Sequence, residues 1–292
     1  MAGIVVNMEA RLETLLSRVR ADHVSGASET ARHVAEGLAE HLNLPGVEVE
    51  SLRDFAHRAY RARRSMAPLF VLLNGLLTDL REGEGDVRIA RRHVLDFIAR
   101  EAEADPLIST SLSDIVEEGP VLTISNSSAV AKALAALHRR VPDLRVVVME
   151  SRPGGEGRHM ARRLSKAGVE CEIIADSMVF ERANDCACAV CGADCVVPGH
   201  LVNKVGTYSL ALASGKAGIP LHSLAASTKI VGVDISDPIA RRRRRNGFSV
   251  RSQVFERVPL RSITDLVTEA GVFMPNEIKF PKGPYPLLDD PR

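Results

Sequence analysis

The sequence carries no surplus of either charge. Its 292 residues include 38 Lys and Arg against 37 Asp and Glu, a formal net charge of +1. That balance excludes the long-range attraction behind wholesale binding to nucleic acid or a membrane surface, and leaves room for a local basic pocket. No window approaches the run of about 18 apolar residues that a bilayer span needs. The opening stretch MAGIVVNMEARLETLL meets acidic residues too early for a secretory signal. Cysteine is scarce and bunched: Cys171, Cys186, Cys188, Cys191 and Cys195 are all there is. An odd, crowded set does not make a disulfide framework, so free thiols in a reducing cytoplasm are expected. Internal repeats and low-complexity tracts are missing as well, apart from the run Arg241 to Arg245.

What is present divides in two. Up to about residue 117 the chain reads as helices, and no convincing strand precedes Pro120. ETARHVAEGLAEHL places Ala31, Val34, Ala35, Leu38 and Leu42 at helical spacing, with Ser28 as the expected N-cap. SLRDFAHRAYRARRSMAPLFVLLNGLLTDL keeps that period until Pro68 interrupts it, and DVRIARRHVLDFIAREAEAD is a further amphipathic helix.

From residue 118 to 292 the texture changes. PVLTIS, RVVVME, VECEIIA, CACAV and PLHSLAA are short apolar runs of strand length. Between them SAVAKALAALHRR, GRHMARRLSKAG, SMVFERA and TYSLALASGKAG read as helices, with Gly168 and Gly218 suited to the positions after a helix end. Alternation of this kind predicts an α/β class fold, with a helical N-terminal domain and a Rossmann-like parallel sheet covered on both faces. Ligands then bind beyond the carboxyl ends of the strands, in the loops beginning SNSS, SRPGGEGR, DS and GADCVVPGHLVNKVGT. DISDPIARRRRRNGFSV is expected as a solvated arm, and LRSITDLVTEAGVFMPNEI as a last helix before a proline-rich tail.

Three uses fit Ser125, Asn126, Ser127 and Ser128, where the first strand opens into a helix. Free N–H groups and the dipole there favour an anion, and the hydroxyls add donors. Plain capping explains the same residues. A serine nucleophile fits least, since there is no G-x-S-x-G elbow and no particular histidine to serve as its base. In the long loop, Asp194, Asn203 and Lys204 combine a carboxylate, an amide and an ammonium at one sheet edge. They suit a hydroxylated, phosphorylated substrate: the cation for phosphate, the amide for hydroxyls, the carboxylate for protons. A turn-capping Asp194 and a solvated Lys204 remain the plainer alternative. Cys186, Cys188 and Cys191 lie on a strand whose neighbours alternate faces, so they are read as core residues and no metal site is expected.

The segments GAD (192–194), NKVGTYSLALA (203–213) and ESRPGGEGRHMARRLSKAGV (150–169) resemble the translation initiation factor 2B subunit family. That family holds the regulatory alpha, beta and delta subunits with archaeal and bacterial relatives, methylthioribose-1-phosphate isomerase and ribose-1,5-bisphosphate isomerase. The likeness is specific from about Pro120 to Lys229, and reaches more weakly to SGASETARHVAEGL, RRSMAPLFVLLNGL and DLVTEAG. It implies a helical domain packed on a Rossmann-like one, with homodimers or larger homo-oligomers formed mainly through the latter. It also implies a sugar phosphate or nucleotide as ligand, and no cofactor.

In the isomerases, an aspartate and a cysteine convert an aldose 1-phosphate to the ketose. The resemblance puts the aspartate at Asp194. It gives Asn203, Lys204, Lys229, Gly26 and Ala27 as ligand contacts and Arg64 as a grip on phosphate. Ser127, Ser128, Arg152 and Glu156 complete the candidate ligand-binding set. The cysteine's place falls on Ser125, whose hydroxyl cannot trade protons near neutrality as a thiol can. The family's arginine before the glycine–alanine pair is Ser25, and the glutamine of methylthioribose-1-phosphate isomerase is Glu156. Together these departures favour a regulatory ligand-binding subunit with weakened or lost catalysis over an aldose–ketose isomerase. Cys195, beside Asp194, is a candidate substitute for the missing thiol.

Overall fold

The computed structural model describes residues 2–22, 25–236, 240–245 and 247–289. The chain divides into two compact units, Met1–Ala102 with Pro281–Arg292 and Glu103–Phe280. The first is helical: α1 (Ala2–Ala21), α2 (Ala27–His41), α3 (Val49–Ala62), α4 (Ala67–Glu82) and the beginning of α5 (Val87–Ile115). Spacing explains the packing. Ala31, Val34, Ala35 and Leu38 form one apolar stripe on α2, and all are buried. The helix starts two residues earlier than a Ser28 N-cap would have it: Gly26 is the N-cap, in extended backbone, and Ala27 is buried in the first turn. Pro68 does not interrupt a helix but sits in the first turn of α4, where its missing N–H costs no bond. Tyr60, Phe70 and Tyr285 stack in a row with centroids 5.5 and 5.9 Å apart. Asn74 holds the returning tail, donating to the Pro284 carbonyl at 3.1 Å and accepting from the Leu287 N–H at 3.3 Å.

The second unit begins inside α5, whose Ala104, Ile108 and Leu112 pack into its core. Then follow β1 (Val121–Thr123), α6 (Ser128–Arg140), β2 (Arg145–Met149), α7 (Gly157–Lys166), β3 (Glu170–Ile174), α8 (Val179–Arg182) and β4 (Cys188–Gly192). A hairpin of β5 (Cys195–Val197) and β6 (His200–Lys204) leads through α9 (Thr207–Ala217) to β7 (Leu221–Leu224). A second hairpin, β8 (Ala240–Arg245) with β9 (Phe248–Gln253), precedes β10 (Phe255–Pro259), β11 (Asp265–Thr268) and β12 (Gly271–Phe273). Short α10 (Pro286–Asp289) returns to the helical unit.

The main sheet runs β12-β11-β7-β4-β1-β2-β3, parallel throughout except for β12. It is the doubly wound arrangement expected, with β1 beside both β2 and β4. Residues alternate between two apolar layers: Leu122, Val147, Ala189 and Cys191 belong to one, Val121, Val146, Val148 and Cys188 to the other. Cys188 and Cys191 thus lie on opposite faces, and Cys186 precedes the strand. At the far side of the sheet, His222 and Asp265 pair at 2.9 Å across β7 and β11.

Three expectations fail in the second unit. The stretch TDLVTEAGVF is not helical; it forms β11 and β12, because Val267 and Thr268 fill the open edge beside β7 and are buried there. The long segment after β4 is not a loop. Pro198 and Gly199, the latter at φ +91°, close a hairpin whose strand β6 also pairs with β10. The arginine run is strand β8 rather than an irregular arm, paired residue for residue with β9; residues 237–239 of that arm lie outside the described residues.

Candidate functional site

The chain leaves β1 toward β2 on one side and later returns to place β4 on the other. The topological switch point of the sheet therefore lies between β1 and β4, where an open α/β sheet leaves a crevice at its carboxyl edge. The loops there are 124–127 and 193–194, so Ser125 to Ser128 and Asp194 flank the crevice. The two walls touch. Gly192 comes so near that a Cβ on it would stand 2.7 Å from Ser127 Oγ. Ser127 is the N-cap of α6, accepting the Val130 N–H at 3.4 Å, and Ser128 begins that helix. Capping and an anion-ready helix start coexist at this point.

Ser125 and Ser151 hold matching places, two residues beyond β1 and β2, and both adopt left-handed backbone at φ +69° and +68°. Such non-glycine geometry costs about 1–3 kcal/mol each and persists only where its surroundings fix it. Here the fixing is visible. The Ser125 N–H donates to Ser151 Oγ at 2.8 Å, and that hydroxyl donates to the Met149 carbonyl at 2.9 Å. The Ser151 and Arg152 N–H groups each donate to the Asp176 carboxylate at 2.7 Å. Three successive strand-end loops are thereby stitched in line. Asp176→Ala is expected to release residues 151–156, read as faster amide exchange there with the rest of the sheet unchanged; unaltered exchange would show that the loop holds itself.

Lys204 ends β6 with its side chain 3% exposed, and its Nζ donates to Glu156 Oε1 at 2.9 Å. Asn203, also buried, donates to Thr207 Oγ1 at 3.0 Å, which in turn donates to the Lys204 carbonyl at 2.6 Å. Asp194 is half-buried, and its N–H donates to the Val202 carbonyl, one residue before Asn203. Lys229 closes a short turn after β7, its N–H donating to the Ala226 carbonyl at 2.8 Å; it is 5% exposed, and its side chain makes no hydrogen bond or ion pair with any described residue. Its neighbour Val231 bonds to Val196, which ties this turn to the β5 hairpin. In the loops of this edge two buried oxygens, Asn126 Oδ1 and Glu156 Oε2, have no partner among the described residues. A set of buried donors and acceptors left over at one sheet edge is what a polar guest would satisfy.

Arg152 is exposed. Gly26, Ala27 and Arg64 belong to the helical unit: the first two begin α2 and Arg64 is exposed in the turn after α3. Cys195 is fully buried, and burial first, then the Asp194 and Asp234 charges, push its thiol far above the ordinary range. Burial alone carries Cys191 up to about 12, against a small opposing hydrogen bond from Ser223. Ser151, Asp176 and Thr207 were not singled out from the sequence, although all three stand in segments whose position was.

A helical unit followed by a doubly wound sheet, with serines, a carboxylate and two buried lysines along its carboxyl edge, defines a Rossmann-like α/β protein. More narrowly, the chain belongs to the initiation factor 2 subunit family, whose model matches residues 6–275. It is 31% identical over 91% of its length to a protein of Pyrococcus abyssi (strain GE5 / Orsay) named as translation initiation factor eIF-2B subunit 2-like, covering 97% of that chain. It is 28% identical to ribose 1,5-bisphosphate isomerase of Archaeoglobus fulgidus, over 92% of this chain and 91% of that one. Among solved structures, Pyrococcus horikoshii OT3 translation initiation factor eIF-2B superposes with a TM-score of 0.81 at 25% identity, covering 91% of this chain and 97% of that chain. Among the described residues, no helix is long and apolar enough to cross a membrane.

Proposed function

We propose that this chain is an initiation factor 2B subunit-like protein that holds a phosphorylated sugar or nucleotide at the β1–β4 crevice and acts through assembly rather than turnover. The observation that carries the reading is the chemistry around Ser125. Its backbone is held by Ser151, its hydroxyl replaces a thiol, and the nearest cysteines on β4 and β5 are buried with their thiols pushed up. No group beside Ser125 among the sequence candidates can take the thiol's part in proton transfer near neutrality. Lys229, with no ion-pair partner among the described residues, supplies a positive charge for phosphate. The expected homo-oligomer would use the second unit, whose edge strand β3 and adjoining α8 leave Ile173 and Phe180 exposed.

A second reading rests on one residue. Asp194 stands at the switch point, where the resemblance places the isomerases' acid–base group, and an aldose–ketose isomerase would need it there. The two are separated by offering purified protein ribose 1,5-bisphosphate and methylthioribose 1-phosphate and following ketose by NMR. The expected result is saturable binding without turnover, with a slow rate appearing in Ser125→Cys and disappearing again when Asp194→Asn is added. Turnover by the natural chain that Asp194→Asn abolishes would replace this reading by the second.

A further inference from the structure

Glu156 sits where α7 begins, yet its side chain does not cap that helix. Instead Oε1 turns back to Lys204 at 2.9 Å, across 48 residues of sequence, while Oε2 is buried with no partner among the described residues. Gly154 makes room for the turn: a Cβ there would lie 2.3 Å from Oε1 and 2.5 Å from the carboxyl carbon. Lys204, 2% exposed, therefore has its charge already matched before any ligand arrives.

Resting on the ligand reading above, we infer that Glu156 sets which end of the ligand this corner accepts. A phosphoryl group would meet a carboxylate at contact distance and find the lysine taken, which is unfavourable on both counts. A hydroxyl or amino group would instead donate to Oε2, satisfying an acceptor that is otherwise buried and unmatched. The corner thus selects a donor-bearing, uncharged end of a sugar or nucleoside, and the phosphoryl group belongs elsewhere, at Lys229. The ligand class follows: a monophosphorylated polyol or nucleoside rather than a sugar phosphorylated at both ends.

Two substitutions free Lys204 by different means. Glu156→Gln removes the charge; Gly154→Ala keeps it and displaces the carboxylate, since the added methyl meets only the end of a flexible side chain. Calorimetric titration of the full chain and both variants with ribose 5-phosphate and with ribose 1,5-bisphosphate gives the test. The natural chain is expected to bind the bisphosphate no more than twofold tighter than the monophosphate. Both variants should gain about tenfold for the bisphosphate, with monophosphate affinity unchanged or lower. A bisphosphate preference already present in the natural chain, or a ratio the same in all three proteins, overturns the role of Glu156 and leaves the ligand reading standing. Failure of all three to bind either sugar overturns both.

Discussion

Gly157→Ala is expected to lower the unfolding free energy by about 3–5 kcal/mol, or to prevent folding at ordinary temperature. An added Cβ would stand 1.9 Å from the Met149 carbonyl oxygen and 3.0 Å from its carbon, which are backbone atoms and cannot swing aside. Met149 ends β2 and its carbonyl is already bonded to the Ser151 hydroxyl. Relief would require sliding α7 outward, and with it Met160, Ala161 and Leu164 from the buried layer they share with Val146 and Val148. Gly215 is the matched control. It lies inside α9 with nothing within 4 Å of an added Cβ, so alanine there should stabilise by about 0.5–1 kcal/mol through helix propensity. Urea midpoints of the two variants should move in opposite directions. A Gly157→Ala protein with the natural midpoint would mean that α7 is not seated as described.

The sequence exposed the parallel half of the sheet because buried parallel strands are continuous apolar runs bounded by turn residues. RVVVM and VLT could be little else once helices of matching length separated them. TDLVTEAGVF resisted because its apolar residues suit a helix and a strand about equally, and only the vacant edge of β7 decides the matter. The hairpin of β5 and β6 hid for a different reason. Three-residue β5 is too short to show alternation, and its register is fixed by distant β10 through β6.

At the site, polar residues in strand-end loops could be listed from the sequence, since the fold class fixes where such loops gather. Their pairings could not. That Asp176 braces Ser151, or that Glu156 occupies Lys204, depends on loops 25 and 48 residues apart meeting at atomic distance. Ser125 gave the clearest advance signal of altered chemistry, but its left-handed backbone carries no mark in the sequence, because serine is not a residue that asks for it.

Lys229→Met is expected to move stability and binding in opposite directions. An ammonium 5% exposed, with no hydrogen bond or ion pair among the described residues, has lost most of its water and gained no fixed counter-charge in return. Methionine keeps the length and the apolar stem, so the ligand-free protein should become about 1 kcal/mol more stable. Ligand binding should fall by about a hundredfold, roughly 2.7 kcal/mol, since a phosphoryl group loses the one buried cation at this edge that no described side chain already neutralises. The sign of the pair is the test, because a residue kept for packing alone would lose stability and leave affinity unchanged. Melting temperatures with and without saturating ribose 5-phosphate report both quantities in one experiment: the variant should start higher and shift less. If Lys229→Met melts below the natural chain and shifts as far on adding the sugar, the lysine is structural, and the anion must be held by other groups along the carboxyl edge.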